Sequence, residues 1–224
     1  MVKRLLELFC GTKSVGKVFE TAGYEVVSLD YNKKFNATHT DDFLTWNYQQ
    51  YAPDYFDVIW SSPDCRTWSL ASGGKYRLLK EIYGRNNEHQ DDTNIGTNMI
   101  LRLIEILKYF KCDAWFIENP KALLRHFPPL KEFIKEVKGH TAVVYYGNYD
   151  NWGFPKATDM WSNLQIWTDE TSPQLDETHY YWRHHNHNGK KKKFFKKFWR
   201  SPEERSKIPP SLINRFRLLI NGEV

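Results

Sequence analysis

The stretch LELFCGTKSVGKVFETAGYEVVSLD, residues 6–30, decides the fold. An apolar run typical of a buried strand leads into turn residues and then a helical stretch that ends at Gly23. A second apolar run ends at Asp30, about 20 positions after Gly11, which is the spacing at which dinucleotide-type folds hold ribose hydroxyls. The sequence therefore predicts a β-turn-α-β unit and an α/β fold.

The remaining strands and helices are predicted from apolar patterns. Further strands are expected near residues 37–43 and in FDVIWS (56–61), CDAWFIENP (112–120), TAVVYYGNY (141–149) and DMWSNLQIW (159–167). Helices are expected from Thr97 to residue 110, over 129–139, and as one helix or a pair over 201–220. The short turn before the last strand predicts an antiparallel hairpin, and the polar stretch from Gly73 to Gly96 predicts a long loop over the site.

Composition indicates a single folded domain over residues 1–224. The chain is 41% hydrophobic and 16% aromatic, which excludes wholesale disorder. No apolar run approaches the roughly 18 residues of a membrane span, and the basic N-terminus has too short an apolar stretch for a secretory signal. Three cysteines without metal-ligand spacing suit a reducing compartment. We expect a soluble, intracellular protein of the cytoplasm.

The segment RHHNHNGKKKKFFKKFWR, residues 183–200, holds eight basic residues and no acidic one. Such a segment attracts a polyanion such as nucleic acid, and its aromatic residues can stack on bases. The alternatives are a solvated loop that aids solubility and an aromatic anchor to the core. We expect no metal at His184, His185 and His187, because no cysteine or carboxylate completes a ligand set. The nucleic-acid contacts expected here are Lys190, Lys191, Lys192, Lys193, Lys196, Lys197 and Arg200.

Two short runs place reactive side chains after predicted strands. Cys65 lies in SSPDCRTWS (61–69) and Glu118 in IENP (117–120). Sites in open α/β sheets lie at the carboxyl ends of strands, and a thiol with a carboxyl group can attack a pyrimidine ring. The alternatives are an inert buried cysteine and a surface carboxylate at a strand end.

These motifs occur in a family order. Residues 6–30, SSPDCRTWS, FIENP (116–120) and YGNYDNWGFPKATDMWSN (146–163), with a weaker echo in SKIPPSLINRF (206–216), resemble the DNA cytosine-5 methyltransferases, and most closely their short phage and viral members. The resemblance implies a class I, Rossmann-like methyltransferase fold. Its sheet would be mostly parallel and seven-stranded, with an antiparallel hairpin at one edge and helices on both faces.

The resemblance implies S-adenosylmethionine as cofactor. It assigns the cofactor site to the first turn and the following strand ends, namely Phe9, Cys10, Gly11, Thr12, Ser14, Val15, Asp30, Tyr31, Asp42, Phe43 and Pro63. In this assignment Asp30 accepts hydrogen bonds from the ribose, and Asp42 and Phe43 contact the adenine. Phe9 also reads as a core residue, and Asp42 as a helix N-cap.

The resemblance also implies the chemistry on DNA. The Cys65 thiolate adds to carbon 6 of a flipped cytosine while Glu118 activates the ring at nitrogen 3, and Lys156 contacts the base. Ser62, Asn119 and Pro120 line the base pocket, and Arg66 contacts nucleic acid. Trp152 or Phe154 could line the pocket, although core packing is the favoured interpretation. Residues 168–200 stand in place of a separate target recognition domain.

Three residues depart from the family pattern, which usually has glycine at Lys13, proline at Asp64 and often glutamine at Arg66. Lys13 implies either a more distant backbone or an ammonium group that meets the cofactor carboxylate. Arg66 is expected to lower the pKa of Cys65, and Asp64 to raise it. The departures leave two other functions open: a silent nucleic-acid-binding module, or the same chemistry on RNA or free nucleotides.

Overall fold

The computed structural model describes residues 2–68, 90–150, 156–171, 180–184, 191–195 and 202–224. Within these ranges the strands are β1 (Arg4–Leu8), β2 (Glu25–Leu29), β3 (Val58–Ser61), β4 (Ala114–Pro120), β5 (His140–Tyr145), β6 (Ala157–Ser162), β7 (Tyr180–His184) and β8 (Lys191–Phe195). The helices are α1 (Ser14–Thr21), α2 (Gln90–Tyr109), α3 (Pro128–Glu136), α4 (Pro202–Ser206) and α5 (Pro210–Ile220).

One sheet has six strands in the order β2-β1-β3-β4-β6-β5. Strands β1 to β4 run parallel, and β6 lies antiparallel between β4 and β5. The strand order reverses between β1 and β3, and ligands of open α/β sheets bind at such a switch point. Strands β7 and β8 form a separate antiparallel pair.

The sheet is covered on both faces because successive strand residues point in opposite directions. Ile59 and Ile117 belong to a core that includes residues of α2 and α3. Trp60 and Phe116 belong to the other core, where Phe216 of α5 packs against both rings at 5.4 and 5.0 Å. The predicted α/β fold, its first β-turn-α-β unit and its C-terminal helix pair are confirmed.

The expected strand near residues 37–43 is wrong, and the described sheet has six strands where seven were expected. Only one bridge, between Leu29 and His39, forms there. Side chains replace the ladder, since Ser28 N–H donates to Thr38 Oγ1 at 3.1 Å and Thr38 N–H donates to Ser28 Oγ at 3.0 Å. Such local bonds compete with strand pairing.

Two other predictions change at their boundaries. Helix α2 begins at Gln90, so the polar stretch expected as loop up to Gly96 is helical from Gln90 onward. Residues 73–89 lie outside the described residues. Strand β6 ends at Ser162, short of the expected 167.

In the part of the chain that the structure describes, no helix is both long and apolar enough to span a membrane.

Candidate active site

The candidate site lies where the parallel strands end. Strands β1, β2 and β3 deliver Phe9, Asp30 and Ser62, and β4 delivers Glu118 near its own end. Strand β6 runs in the opposite direction and pairs Thr158 with Pro120, which brings its first residues to the same edge. Topology therefore gathers segments that are far apart in the chain.

The turn after β1 has left-handed backbone at alternate residues. Phe9, Gly11 and Lys13 have φ values of 60°, 47° and 56°, a conformation that glycine adopts most easily. Gly11 N–H donates to Asp30 Oδ2 at 2.9 Å, and Asn32 N–H donates to Asp30 Oδ1 at 2.9 Å. Asp30 is thereby fixed at the end of β2 with both oxygens oriented by the main chain.

A first cavity of about 630 Å³ brings together the residues assigned to the adenosine end of the cofactor. Phe9 and Phe43 face each other there, with ring centroids 4.4 Å apart. Asp42 lines the cavity, and its Oδ1 also accepts from Leu44 N–H at 2.9 Å, a capping-type bond. The predicted residues that line this cavity are Phe9, Asp30, Tyr31, Asp42, Phe43, Ser62 and Arg66.

A second cavity of about 510 Å³ holds the predicted reactive groups, Cys65, Glu118 and Lys156. It shares Phe9, Ser62, Asp64 and Arg66 with the first cavity, so the two adjoin. Its other predicted lining residues are Cys10, Gly11, Thr12, Ser14, Val15, Pro63 and Pro120. The structure thus brings together nearly all predicted site residues within the described ranges.

The Cys65 thiol is half-buried beside two carboxyl groups. Burial raises the pKa of Cys65 above its ordinary value, Glu118 and Asp64 raise it further, and Lys156 lowers it. Asp64 thus acts in the expected direction. Arg66 pairs with Asp64, because its N–H and Nε–H donate to the Asp64 carboxylate at 2.8 and 2.7 Å. Lys156 is a cation that favours the thiolate.

Glu118 is a buried carboxyl group with two donors on one oxygen. The Tyr146 hydroxyl donates to Glu118 Oε1 at 2.9 Å, and Lys156 Nζ lies 3.5 Å from the same atom. Lys156 Nζ also lies 4.4 Å from the centroid of the Tyr146 ring, at cation–π distance. Glu118 is therefore not the surface carboxylate that was the alternative interpretation.

Asn119 differs from its predicted place in the base pocket. It is fully buried and lines neither cavity, because it points to the opposite face of β4 from Glu118. Its Nδ2 donates to the Pro63 carbonyl at 2.9 Å. Asn119 therefore ties the loop that carries Cys65 to the end of β4.

Lys13 lines neither cavity. Its ammonium group donates to the carbonyl oxygen of Asn36, while its backbone occupies the left-handed conformation of the usual glycine. In this structure the Lys13 ammonium group therefore contacts the main chain rather than either cavity.

Several residues of the second cavity were missed from the sequence. Trp60 and Glu7 come from the strands themselves, and Ser206 and Ile208 come from the C-terminal segment. Ile208 N–H donates to Ser14 Oγ at 3.3 Å, which joins that segment to the start of α1. Strand alternation within LELF and VIWS was a usable signal for Glu7 and Trp60.

Some predictions fall outside the described residues. These are Trp152, Phe154, His185, His187, Lys190, Lys196, Lys197 and Arg200, while for Lys191, Lys192 and Lys193 the structure describes only the backbone of β8.

The buried carboxyl group of Glu7 should make the stability of the folded protein depend on pH. Burial raises the pKa of Glu7 to about 8 from an ordinary 4.5. Between these values the folded protein binds more protons than the unfolded chain. Stability is therefore highest below the lower value and falls as pH rises through the window, by up to about 1.4 kcal/mol per pH unit.

We expect Glu7→Gln to remove this fall, as measured by urea unfolding at several pH values from about 5 to about 8. The free energy of unfolding of the variant, relative to that of the wild type, should increase as pH rises. Glu132→Gln, at an exposed position of α3, is the matched control and should leave the slope unchanged. Parallel curves for Glu7→Gln and wild type would contradict the prediction.

Known proteins were compared with this chain at the levels of sequence and fold. No family model matches. The "Probable DNA (cytosine-5)-methyltransferase" of Frog virus 3 (isolate Goorha) is 30% identical over 175 residues, covering 75% of this chain and 74% of that protein.

Among solved structures, the Entamoeba histolytica methyltransferase EhMeth has a TM-score of 0.53 at 13% identity, covering 81% of this chain and 63% of that one. A Spodoptera frugiperda DNMT2 mutant has a TM-score of 0.49 at 18% identity, covering 77% and 54%. The chain spans less than two thirds of either structure's length. The fold is thus that of a methyltransferase, and the viral relative shows that the chain belongs to the DNA cytosine-5 methyltransferase family.

Proposed function

We propose that the protein transfers a methyl group from S-adenosylmethionine to carbon 5 of cytosine in DNA, through a covalent adduct with Cys65. One observation carries the proposal: a thiol, a buried carboxyl group and an ammonium group meet in the second cavity, which adjoins the first cavity with its residues assigned to the adenosine end of the cofactor. The thiol and the carboxyl group are the two groups that cytosine activation requires.

The two cavities suit the cofactor. Asp30 lines the first, with its oxygens oriented by the main chain and able to accept further hydrogen bonds from a ribose. The aromatic pair of Phe9 and Phe43 offers a surface for the adenine, and the turn residues Cys10 to Val15 in the second cavity suit the methionine end. When bound, S-adenosylmethionine supplies the electrophilic methyl group of its sulfonium.

Cys65 and Glu118 activate the base together. The Cys65 sulfur forms a bond to carbon 6, and Glu118 gives a proton to ring nitrogen 3, so that carbon 5 becomes nucleophilic. After carbon 5 is methylated, a water molecule takes the carbon 5 proton and the Cys65–carbon 6 bond breaks, which regenerates the thiolate, while the Glu118 carboxylate takes back the proton from ring nitrogen 3. The ammonium group of Lys156 stabilises the thiolate before attack, in accord with its lowering of the Cys65 pKa.

The lysines of residues 190–200 supply the contact with phosphates in this proposal. A short basic segment that takes the place of a recognition domain binds DNA by charge, so affinity should fall steeply with salt and depend little on sequence. The target cytosine must leave the stack to reach Cys65, at a cost of a few kcal/mol.

The proposal is tested with labelled S-adenosylmethionine and duplex DNA, followed by identification of the methylated nucleoside. We expect 5-methylcytosine in cytosine-containing DNA and no label in matched DNA without cytosine. A parallel arm uses RNA of the same sequence. Label in RNA alone would overturn the DNA substrate, and no label in either nucleic acid would overturn methyl transfer.

A second candidate function is nucleic-acid binding without catalysis. It is favoured by the raised pKa of Cys65, since burial, Glu118 and Asp64 all favour the unreactive thiol. This function predicts salt-sensitive DNA binding with no covalent adduct on DNA that contains 5-fluorocytosine. An adduct that survives denaturation would exclude it.

A further inference from the structure

Tyr146 is a fully buried tyrosine that directly follows β5. Its hydroxyl donates to Glu118 Oε1 at 2.9 Å, and its ring lies under Lys156 Nζ at 4.4 Å. One side chain therefore contacts both the acid and the cation of the second cavity. None of the sequence motifs assigned it a role.

Its hydroxyl is a permanent donor. Burial raises the pKa of Tyr146 well above its usual value, and Glu118 raises it further. The hydroxyl therefore keeps its proton at neutral pH. With this proton in place, Tyr146 donates to Oε1 of Glu118.

The position of this donor distinguishes the two carboxyl oxygens. Within the part of the chain that the structure describes, the Tyr146 hydroxyl and the Lys156 ammonium group both approach Oε1 of Glu118. An oxygen that already accepts two donors is the poorer site for a proton, so the proton of the neutral carboxyl group resides on Oε2.

We propose that Tyr146 is a positioning residue for Glu118: its hydroxyl holds Oε1 as an acceptor and thereby directs the transferable proton to Oε2. Its ring at the same time supports the ammonium group of Lys156 near the cavity. This inference rests on the proposed function, because it specifies how the same site delivers a proton to ring nitrogen 3 of cytosine.

A role in packing alone requires the ring but not the hydroxyl. Tyr146 lies among apolar residues such as Val144 and Met160, where a buried hydroxyl costs free energy unless it is hydrogen-bonded. Phenylalanine would fill the same space without that cost. The hydroxyl therefore distinguishes positioning from packing.

The test compares Tyr146→Phe with Tyr149→Phe in methyl transfer to DNA. Both variants lose one hydroxyl and keep the ring. Tyr149 is the matched control because its hydroxyl contacts Asp169 and Trp167 rather than the cavity. We expect Tyr146→Phe to lower kcat about 10- to 100-fold, the range for a hydrogen bond to a charged group. KM for DNA and for S-adenosylmethionine should stay within about twofold of wild type, because the bond acts on proton transfer rather than on binding.

Tyr146→Leu removes the ring as well and should be slower than Tyr146→Phe, because Lys156 loses its support. Thermal unfolding of each variant shows whether the fold is retained. The inference is overturned if Tyr146→Phe keeps kcat within about twofold of wild type, or if KM alone changes. If the wild-type protein transfers no methyl group, the proposed function fails and the inference fails with it. An active wild type with an equally active Tyr146→Phe variant overturns only the inference.

Discussion

Replacing Cys65 with alanine is expected to abolish methyl transfer, with a loss of more than about 10³-fold, because no other group in the mechanism can bond to carbon 6. The same variant should form no adduct with DNA that contains 5-fluorocytosine. Fluorine at carbon 5 traps the adduct because no proton can then be lost from that carbon, but an adduct exists only if sulfur has first added to carbon 6. DNA binding should persist, because the charge of the protein is unchanged at neutral pH. Adduct formation is measured as a band that survives denaturing electrophoresis.

The rate of adduct formation by the wild type should rise with pH. Burial, Glu118 and Asp64 raise the pKa of Cys65, so the thiol predominates at neutral pH and the reactive thiolate increases as pH rises toward that pKa.

The matched control for Cys65→Ala is Cys112→Ala. Cys112 lines neither cavity, and burial raises its pKa to about 12. If Cys65→Ala formed the adduct and Cys112→Ala did not, the assignment of Cys65 as the nucleophile would be wrong.

Local sequence predicted the parts of the fold that depend on local signals. The strands β1 and β2 and the helix between them follow from apolar periodicity and from turn residues at Gly11 and Gly23. The strand expected near residues 37–43 fails for a reason that periodicity cannot reveal, namely the paired side-chain bonds between Ser28 and Thr38. Strands β7 and β8 were not predicted, because a run of lysines and aromatic residues lacks the alternation of a half-buried strand.

The candidate site likewise combines residues that local sequence predicted with contacts that it did not. Cys65 and Glu118 were found because short motifs follow buried strands, and both line one cavity. The contact between Tyr146 and Glu118 joins residues 28 positions apart, and that between Ile208 and Ser14 joins residues 194 positions apart. Contacts of that kind depend on the antiparallel insertion of β6 and on the docking of the C-terminal segment against α1. Neither is encoded in a local pattern.

The ion pair of Arg66 with Asp64 shows a limit of predicting electrostatic effects from neighbours in the sequence. Adjacent charges in sequence predicted that Arg66 would promote the thiolate, yet side-chain geometry pairs Arg66 with Asp64. Lys156, which directly precedes β6, also acts on Cys65 and lowers the pKa of its thiol. Sequence proximity therefore does not reveal every charge that acts on a buried group.

Glu118→Gln should lower kcat by about 10²- to 10⁴-fold, the usual contribution of a positioned proton donor. Glutamine has nearly the same shape and its oxygen can still accept from Tyr146, so the fold and the cavity should be retained. Its amide cannot give a full proton to ring nitrogen 3, and attack by Cys65 on carbon 6 then meets an unactivated ring. Adduct formation on 5-fluorocytosine DNA should slow in parallel, because the defect precedes methyl transfer.

The matched control is Glu136→Gln, which removes one negative charge from an exposed ion pair with Lys108. Exposed pairs of this kind contribute about 1 kcal/mol or less to stability, and kcat should not change. The double variant Cys65→Ala/Glu118→Gln should be no slower than Cys65→Ala alone, since the two groups act in one step and their effects do not add. Glu118→Gln with near wild-type kcat would show that the ring is activated by another group, and Lys156, 3.5 Å from Glu118 Oε1, would then become the residue to replace.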